Sequence, residues 1–110
     1  MQKIECFKYP AEFYRLVIFD EEKEVGRLFL YIIVNDSHDK PYGFIEDVWF
    51  NESDQGHGLA TQLVQQAILK AKELHCRKIV GRFDREQFQG FYKKFGFKKL
   101  GIAFEMILNE

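Results

Sequence analysis

The sequence predicts an α/β fold: a mixed sheet whose antiparallel N-terminal meander leads into a β-α-β-α-β half with a parallel strand pair. Three observations carry this. The first half of the chain is β-branched and aromatic and is broken by polar turns, the stretch from Gly58 to His75 switches to helical period, and a short apolar run, 78–83, follows it. A strand–helix–strand passage from Phe44 to Phe83 should leave the strands at its two ends parallel, because the helix carries the chain back along the sheet.

Taken in order, Ile4, Cys6 and Tyr9 suggest a short opening strand, and the run 13–19 (FYRLVIF) suggests a second. Residues 20–24 form a polar turn before a third strand over 25–34. The stretch 35–41 (NDSHDKP) is rich in turn formers and precedes a strand over 42–50. Leu59, Ala60, Leu63, Val64, Ala67, Ile68, Ala71 and Leu74 then make a wide apolar stripe, with Gln, Lys and Glu on the other face. A second helix over 85–95 groups Phe88, Phe91, Tyr92 and Phe95, with Gly96 as its stop. A last strand is expected over 102–108. The 110 residues carry no linker, low-complexity tract or repeat, so a single domain over 1–110 is expected.

Composition narrows the partners. With 46% apolar and 30% charged residues the chain reads as an ordinary globular protein, and its formal net charge of −1 supplies no broad basic field for nucleic acid. The pairs Lys93-Lys94 and Lys98-Lys99 read as a solvated helix face beside nearby acids. No run approaches the ~20 apolar residues of a membrane span, and the N-terminus lacks the apolar stretch of a signal peptide, so a cytoplasmic location is expected. Cys6 and Cys76 fit no metal or redox spacing and are expected as buried reduced thiols.

The chemistry concentrates where the strand ending at Phe50 meets the helix beginning near Gly58. The intervening Gln55-Gly56-His57-Gly58-Leu59-Ala60 opens directly onto an amphipathic helix. The first N–H groups of a helix have no intrahelical acceptor and carry partial positive charge, and glycine lets a bulky anion approach the chain. The turn is therefore either a pyrophosphate site or simply a tight connection. The P-loop signature is missing its Gly-Lys-Ser/Thr end. The dinucleotide fingerprint would need a glycine at Thr61 and belongs to a chain that opens with strand–helix alternation.

Gln55-x-x-Gly58-x-Ala60 resembles the Gln/Arg-x-x-Gly-x-Gly/Ala signature of the GNAT superfamily of acyl-CoA-dependent N-acetyltransferases. Phe91-Tyr92-Lys93-Lys94-Phe95-Gly96-Phe97 resembles that family's Phe-Tyr-x-x-x-Gly-Phe hallmark, at the usual separation. The likeness runs from about Tyr42 to Leu108. The absence of room between Pro10 and Phe13 for the helical segment of most members makes the chain similar to a compact subgroup.

The resemblance implies a GNAT-like fold and acetyl-CoA as co-substrate. Its pyrophosphate would lie on the main chain of Gln55, Gly56, His57, Gly58, Leu59 and Ala60, with Thr61 adding a hydroxyl. It implies that Val48, Trp49 and Phe50 line the pantetheine slot, one N–H polarising the thioester carbonyl. Tyr92 matches the tyrosine held to protonate the departing thiolate; packing as a core tyrosine is the alternative. Glu46 is favoured as base or amine-binding group with Asp47 in reserve, since alternation along the strand should send the two to opposite faces. Pairing of either carboxylate with Arg82 or a lysine is the structural alternative. His57 and His38 are expected as loop residues, and no metal site is expected.

The expected function is transfer of an acetyl group from acetyl-CoA to a primary amine, on a small molecule or a peptide, by direct attack in a ternary complex. The alternative is an acyl-CoA-binding or interaction module of the same fold with little or no transferase activity. A homodimer in which a partner chain completes the acceptor wall is compatible with the sequence and not fixed by it.

Overall fold

The computed structural model describes residues 1–51, 58–82 and 89–109. Within them the elements run β1 (Glu12–Asp20), β2 (Lys23–Ile33), β3 (Tyr42–Phe50), α1 (Leu59–Glu73), β4 (Ile79–Gly81) and α2 (Gln89–Lys93). The four strands form one sheet in the order β1-β2-β3-β4. The first two pairings are antiparallel and the β3–β4 pairing is parallel, so the meander and the parallel pair stand as expected.

Strand β2 shows why the sheet has a covered and an open side. Leu28, Leu30 and Ile32 are buried, whereas Arg27, Phe29, Tyr31 and Ile33 between them are only partly covered. The buried set, with Ile45 of β3 and Leu63 and Ala67 of α1, makes the core, and Tyr14, Leu16 and Ile18 of β1 pack against it. Helix α1 turns Leu59, Leu63, Val64, Ala67 and Ala71 onto this side, which is the stripe its sequence spacing demands. Five large side chains, Leu28, Leu30, Ile45, Leu63 and Val64, are fully buried. Each contributes about 1.5–3 kcal/mol. Close approach depends on small residues: a Cβ on Gly43 would stand 3.0 Å from Leu30 Cδ1 and 3.8 Å from Ala71 Cβ.

Helix α1 ends in a Schellman turn. The Cys76 N–H donates to the Ala71 carbonyl at 2.9 Å and the His75 N–H to Lys72 at 3.0 Å, with His75 at φ 61° in the position glycine usually takes. The chain then passes straight into the sheet: the Arg77 N–H donates to the Pro41 carbonyl (2.8 Å) and the Gly43 N–H to Lys78 (2.9 Å).

Two expected strands do not form. Residues 1–10 join no ladder, and Ile4, Phe7 and Tyr9 are exposed, as is Cys6, which was expected to be buried. The run 102–108 is likewise unpaired, with Ile102, Phe104, Met106 and Leu108 exposed. Alternation makes a segment able to pair but supplies no partner, and the adjacent edge strand β4 is only three residues long. This segment is tied to the end of β4 by the Arg82–Glu105 ion pair at 2.8 Å. The second helix appears as α2, residues 83–88 lying outside the described ones. It ends as expected, Gly96 taking φ 99° and donating to the Lys93 carbonyl at 3.0 Å.

Candidate active site

The site is built where β3 and β4 part. Their ladder has three pairs, Gly43↔Ile79, Phe44↔Val80 and Ile45↔Gly81, and then stops. Strand β3 runs on to Phe50 with β2 still on its other side. From Glu46 to Trp49 the edge of β3 turned away from β2 therefore has no strand partner among the described residues. Such an edge offers main-chain N–H and C=O groups to any extended ligand that lies along it.

A β-bulge sits at the point of divergence. Arg27 pairs with Trp49 but Phe29 pairs with Glu46, so two residues, Asp47 and Val48, stand opposite Leu28 alone. Asp47 takes φ 56°, left-handed for a non-glycine residue, which costs ~1 kcal/mol and which aspartate tolerates better than most. Its carboxylate accepts from the Arg27 guanidinium at 3.2 Å, and the same guanidinium lies 5.3 Å from the centre of the Trp49 ring.

The bulge corrects the expectation from alternation. Val48 packs against the core beneath α1, and Phe50 lies beside Gly26 and Leu63 on that same side. Glu46, Asp47 and Trp49 share the opposite face: Asp47 and Trp49 both meet Arg27, and Glu46 lies beside the Tyr31 hydroxyl. Both carboxylates are exposed. The structural alternative is realised for Asp47, but with Arg27; Arg82, the expected cation, holds Glu105 instead. Tyr31 was missed from sequence. Its phenol is pushed upward, first by partial desolvation and then by the Glu46 carboxylate. The signal that could have found Tyr31 and Arg27 is the odd-numbered set on β2, which needs the β2–β3 register to be read against Glu46 and Asp47.

The start of α1 lies near the far end of β3. A Cβ on Gly26 would stand 3.2 Å from Leu63 Cδ1, and Gly26 pairs with Phe50, so the first turns of α1 sit over the far end of β3. Gly58 caps the helix at φ 71° with no side-chain hydrogen bond, the first turn has no acidic residue, and among the described residues nothing lies within 4 Å of where a Gly58 Cβ would be. The first intrahelical bond runs from the Gln62 N–H to the Gly58 carbonyl, which leaves the Leu59, Ala60 and Thr61 N–H groups without an intrahelical acceptor. Lys70 and Lys72 occupy the last turn, where they complement the negative end of the helix dipole, and no acidic side chain within the first turn offsets its positive end. Gln55, Gly56 and His57 lie outside the described residues, as do Arg85 and Phe88.

Tyr92 lies on α2 and belongs to the buried set. Its ring meets Phe91 at 5.0 Å and Phe97 at 6.0 Å, both edge-on, and Phe97 packs against the core that contains Ile45 and Leu63. Tyr92 is 7% exposed, and burial pushes its phenol up to about 12, so it stays protonated and able to donate at neutral pH. A separate groove of about 370 Å3 between β1 and α1, lined by Leu16, Ile18, Gln62, Leu63 and Gln66, lies toward the opposite edge of the sheet and carries no charged side chain.

Among the described residues, then, a strand edge without a second partner leads toward a helix start whose first N–H groups have no intrahelical acceptor. The chain belongs to the acetyltransferase (GNAT) family, whose model matches residues 2–97. It is similar to an acetyltransferase of Trypanosoma brucei, at 26% identity over 80% of this chain and 62% of that one, with a TM-score of 0.75. It is also similar to a transcriptional regulator from Bacillus halodurans C-125, at 27% identity over 87% and 66%, with a TM-score of 0.81. A glucosamine-6-phosphate N-acetyltransferase from Arabidopsis thaliana shares the fold at 22% identity over 84% and 65%, with a TM-score of 0.78. The chain thus spans just under two thirds of the length of each of these three structures. A sequence comparison with curated proteins finds no match. Among the described residues, no helix is long and apolar enough to cross a membrane.

Proposed function

We propose that the chain transfers an acetyl group from acetyl-CoA to a primary amine by direct attack in a ternary complex, in the cytoplasm. The observation that carries this is the meeting of the unpaired β3 edge with the uncapped N-terminus of α1. The residues fit the co-substrate: the edge from Glu46 to Trp49, without a second strand partner among the described residues, suits an extended amide-bearing arm, and the first N–H groups of α1 suit a phosphate. Acetyl-CoA supplies an acetyl thioester; the amine nitrogen bonds to the acetyl carbon, the C–S bond breaks, and CoA leaves as the thiolate, which takes up a proton from solvent to become the thiol as the nitrogen loses one.

The chain's own groups divide the work. The Leu59, Ala60 and Thr61 N–H groups hold the pyrophosphate together with Gln55, Gly56, His57 and Gly58 of the preceding turn. The main chain of Val48, Trp49 and Phe50 holds the pantetheine and aims one N–H at the thioester carbonyl. Glu46 binds the ammonium and accepts its proton; Asp47, held by Arg27, supports the bulge. Tyr92 donates a hydrogen bond to the developing thiolate. A phenol at about 12 surrenders its proton only uphill to a thiolate of ordinary basicity, near 8.5, so stabilisation of the charge is its contribution.

A thermal-shift titration with acetyl-CoA, followed by thiol release over an amine panel, tests this reading. Stabilisation and turnover are expected. Stabilisation without turnover on any amine points to a binding module, and no stabilisation removes both readings. Tyr92→Phe should lower kcat about 10- to 100-fold, the worth of one hydrogen bond to a charged group, with the acetyl-CoA shift retained.

A further inference from the structure

The open face of the sheet carries a row of rings that the proposed chemistry leaves unused. Phe13 of β1 is paired directly with Tyr31 of β2, and their rings stack with centroids 5.2 Å apart and planes 25° from parallel. Phe29 lies 6.2 Å from Phe13 and 6.3 Å from Tyr31. Across the next ladder Phe29 faces Glu46. Adjacent strands lie ~4.8 Å apart, so the row extends roughly 10 Å from the carboxylate on β3 to the ring on β1. Phe13 is 57% exposed.

Charge on this face is nearly balanced. Arg15 holds Glu24 at 2.7 Å and Arg27 holds Asp47 at 3.2 Å. Glu46 is in no ion pair among the described residues, and its neighbour is the Tyr31 phenol. The face therefore presents one uncompensated negative charge at one end of an aromatic platform, and that end is the first residue beyond the last β3–β4 pair, Ile45↔Gly81.

We propose that this row is the acceptor subsite and that it selects a primary amine bearing a single positive charge on a short arm that ends in an aromatic ring. The inference rests on the acetyl-transfer reading and deepens it. The ammonium pairs with Glu46 while the arm and ring lie over Phe29, Tyr31 and Phe13, where ring–ring and cation–π contacts hold them. A polyamine would bring further ammonium groups to a face whose other carboxylates, Glu24 and Asp47, are already paired. A sugar phosphate would bring a dianion to a face whose cations are already paired.

The test is thiol-release kinetics with acetyl-CoA and four probes: 2-phenylethylamine, ethylamine, spermidine and glucosamine 6-phosphate. The expected kcat/KM for 2-phenylethylamine exceeds each of the others by about tenfold or more. Phe13→Ala should raise the KM for 2-phenylethylamine about three- to tenfold and lower its kcat/KM by a larger factor than that for ethylamine. Spermidine or the sugar phosphate matching 2-phenylethylamine overturns the proposal, as does a Phe13→Ala effect equal for both simple amines. Should no amine turn over, calorimetric binding of 2-phenylethylamine to the CoA-loaded chain that weakens in Phe13→Ala supports the subsite, and its absence overturns it. A wild-type dimer on sedimentation that Phe13→Ala dissociates makes the rings an interface and also overturns it. The acetyl-CoA thermal shift separates the two failures: without it the transfer reading falls, and with it but without ring preference only the subsite falls.

Discussion

The two faces of the sheet are made by the same strands and follow opposite rules. Beneath α1 the central positions are apolar and closed: Leu28, Leu30 and Ile45 are fully buried against Leu63, Val64 and Ala67. On the other side Phe13, Arg15, Arg27, Phe29, Tyr31, Glu46, Asp47 and Trp49 are aromatic or charged, and all are at least partly exposed. One face is buried apolar core and the other is exposed, aromatic and charged. The bulge at Asp47 widens the difference, because the extra residue moves a second carboxylate out of the core and returns Val48 and Phe50 to it.

The contrast can be broken first where it should be strongest. Leu30→Ala on the closed face should cost about 2–5 kcal/mol by urea denaturation, whereas Phe13→Ala on the open face should cost under about 1 kcal/mol. Equal losses would mean that the open face is covered in solution. A second measure uses the tyrosine tied to the core through Phe97. The Tyr92 phenol is raised above its unfolded value near 10, so the stability it lends is complete below pH 10 and is lost as pH climbs toward about 12. The loss should reach at most about 3 kcal/mol, and urea curves at pH 9 and pH 11.5 should show that share missing in Tyr92→Phe. The smallest effect tests the bulge: Asp47→Val should destabilise by about 1–2 kcal/mol relative to Asp47→Gly, since only glycine takes the left-handed conformation freely. If the valine variant is as stable as the glycine variant, Asp47 does not hold that conformation in solution.

Much of this was legible before any coordinates. The switch from period two to period 3.6 at Gly58 marks α1, the polar turns mark the meander, and the crossover makes β3 and β4 parallel. The two motif matches point to the family, since Gln55–Ala60 and Phe91–Phe97 are short contiguous runs. The residues that did not yield are those whose role depends on a neighbour from another strand. Tyr31 became visible only when β2 was placed in register with β3, and Arg27 only when the bulge turned Asp47 toward it. The runs 1–10 and 102–108 show the same limit from the other side, with strand-like patterns and no ladder.

The sequence by itself determined the elements that local spacing can specify: an amphipathic helix with an uncapped glycine start, three alternating strands, and a tyrosine set among rings. Tertiary structure alone decided that Glu46 and Asp47 share a face, that among the described residues the β3–β4 ladder ends at Ile45, and that the far end of β3 meets the start of α1. The physical reason is that side-chain direction in a strand is set by counting residues. One extra residue opposite Leu28 resets the count, and that insertion is a property of how two strands pair.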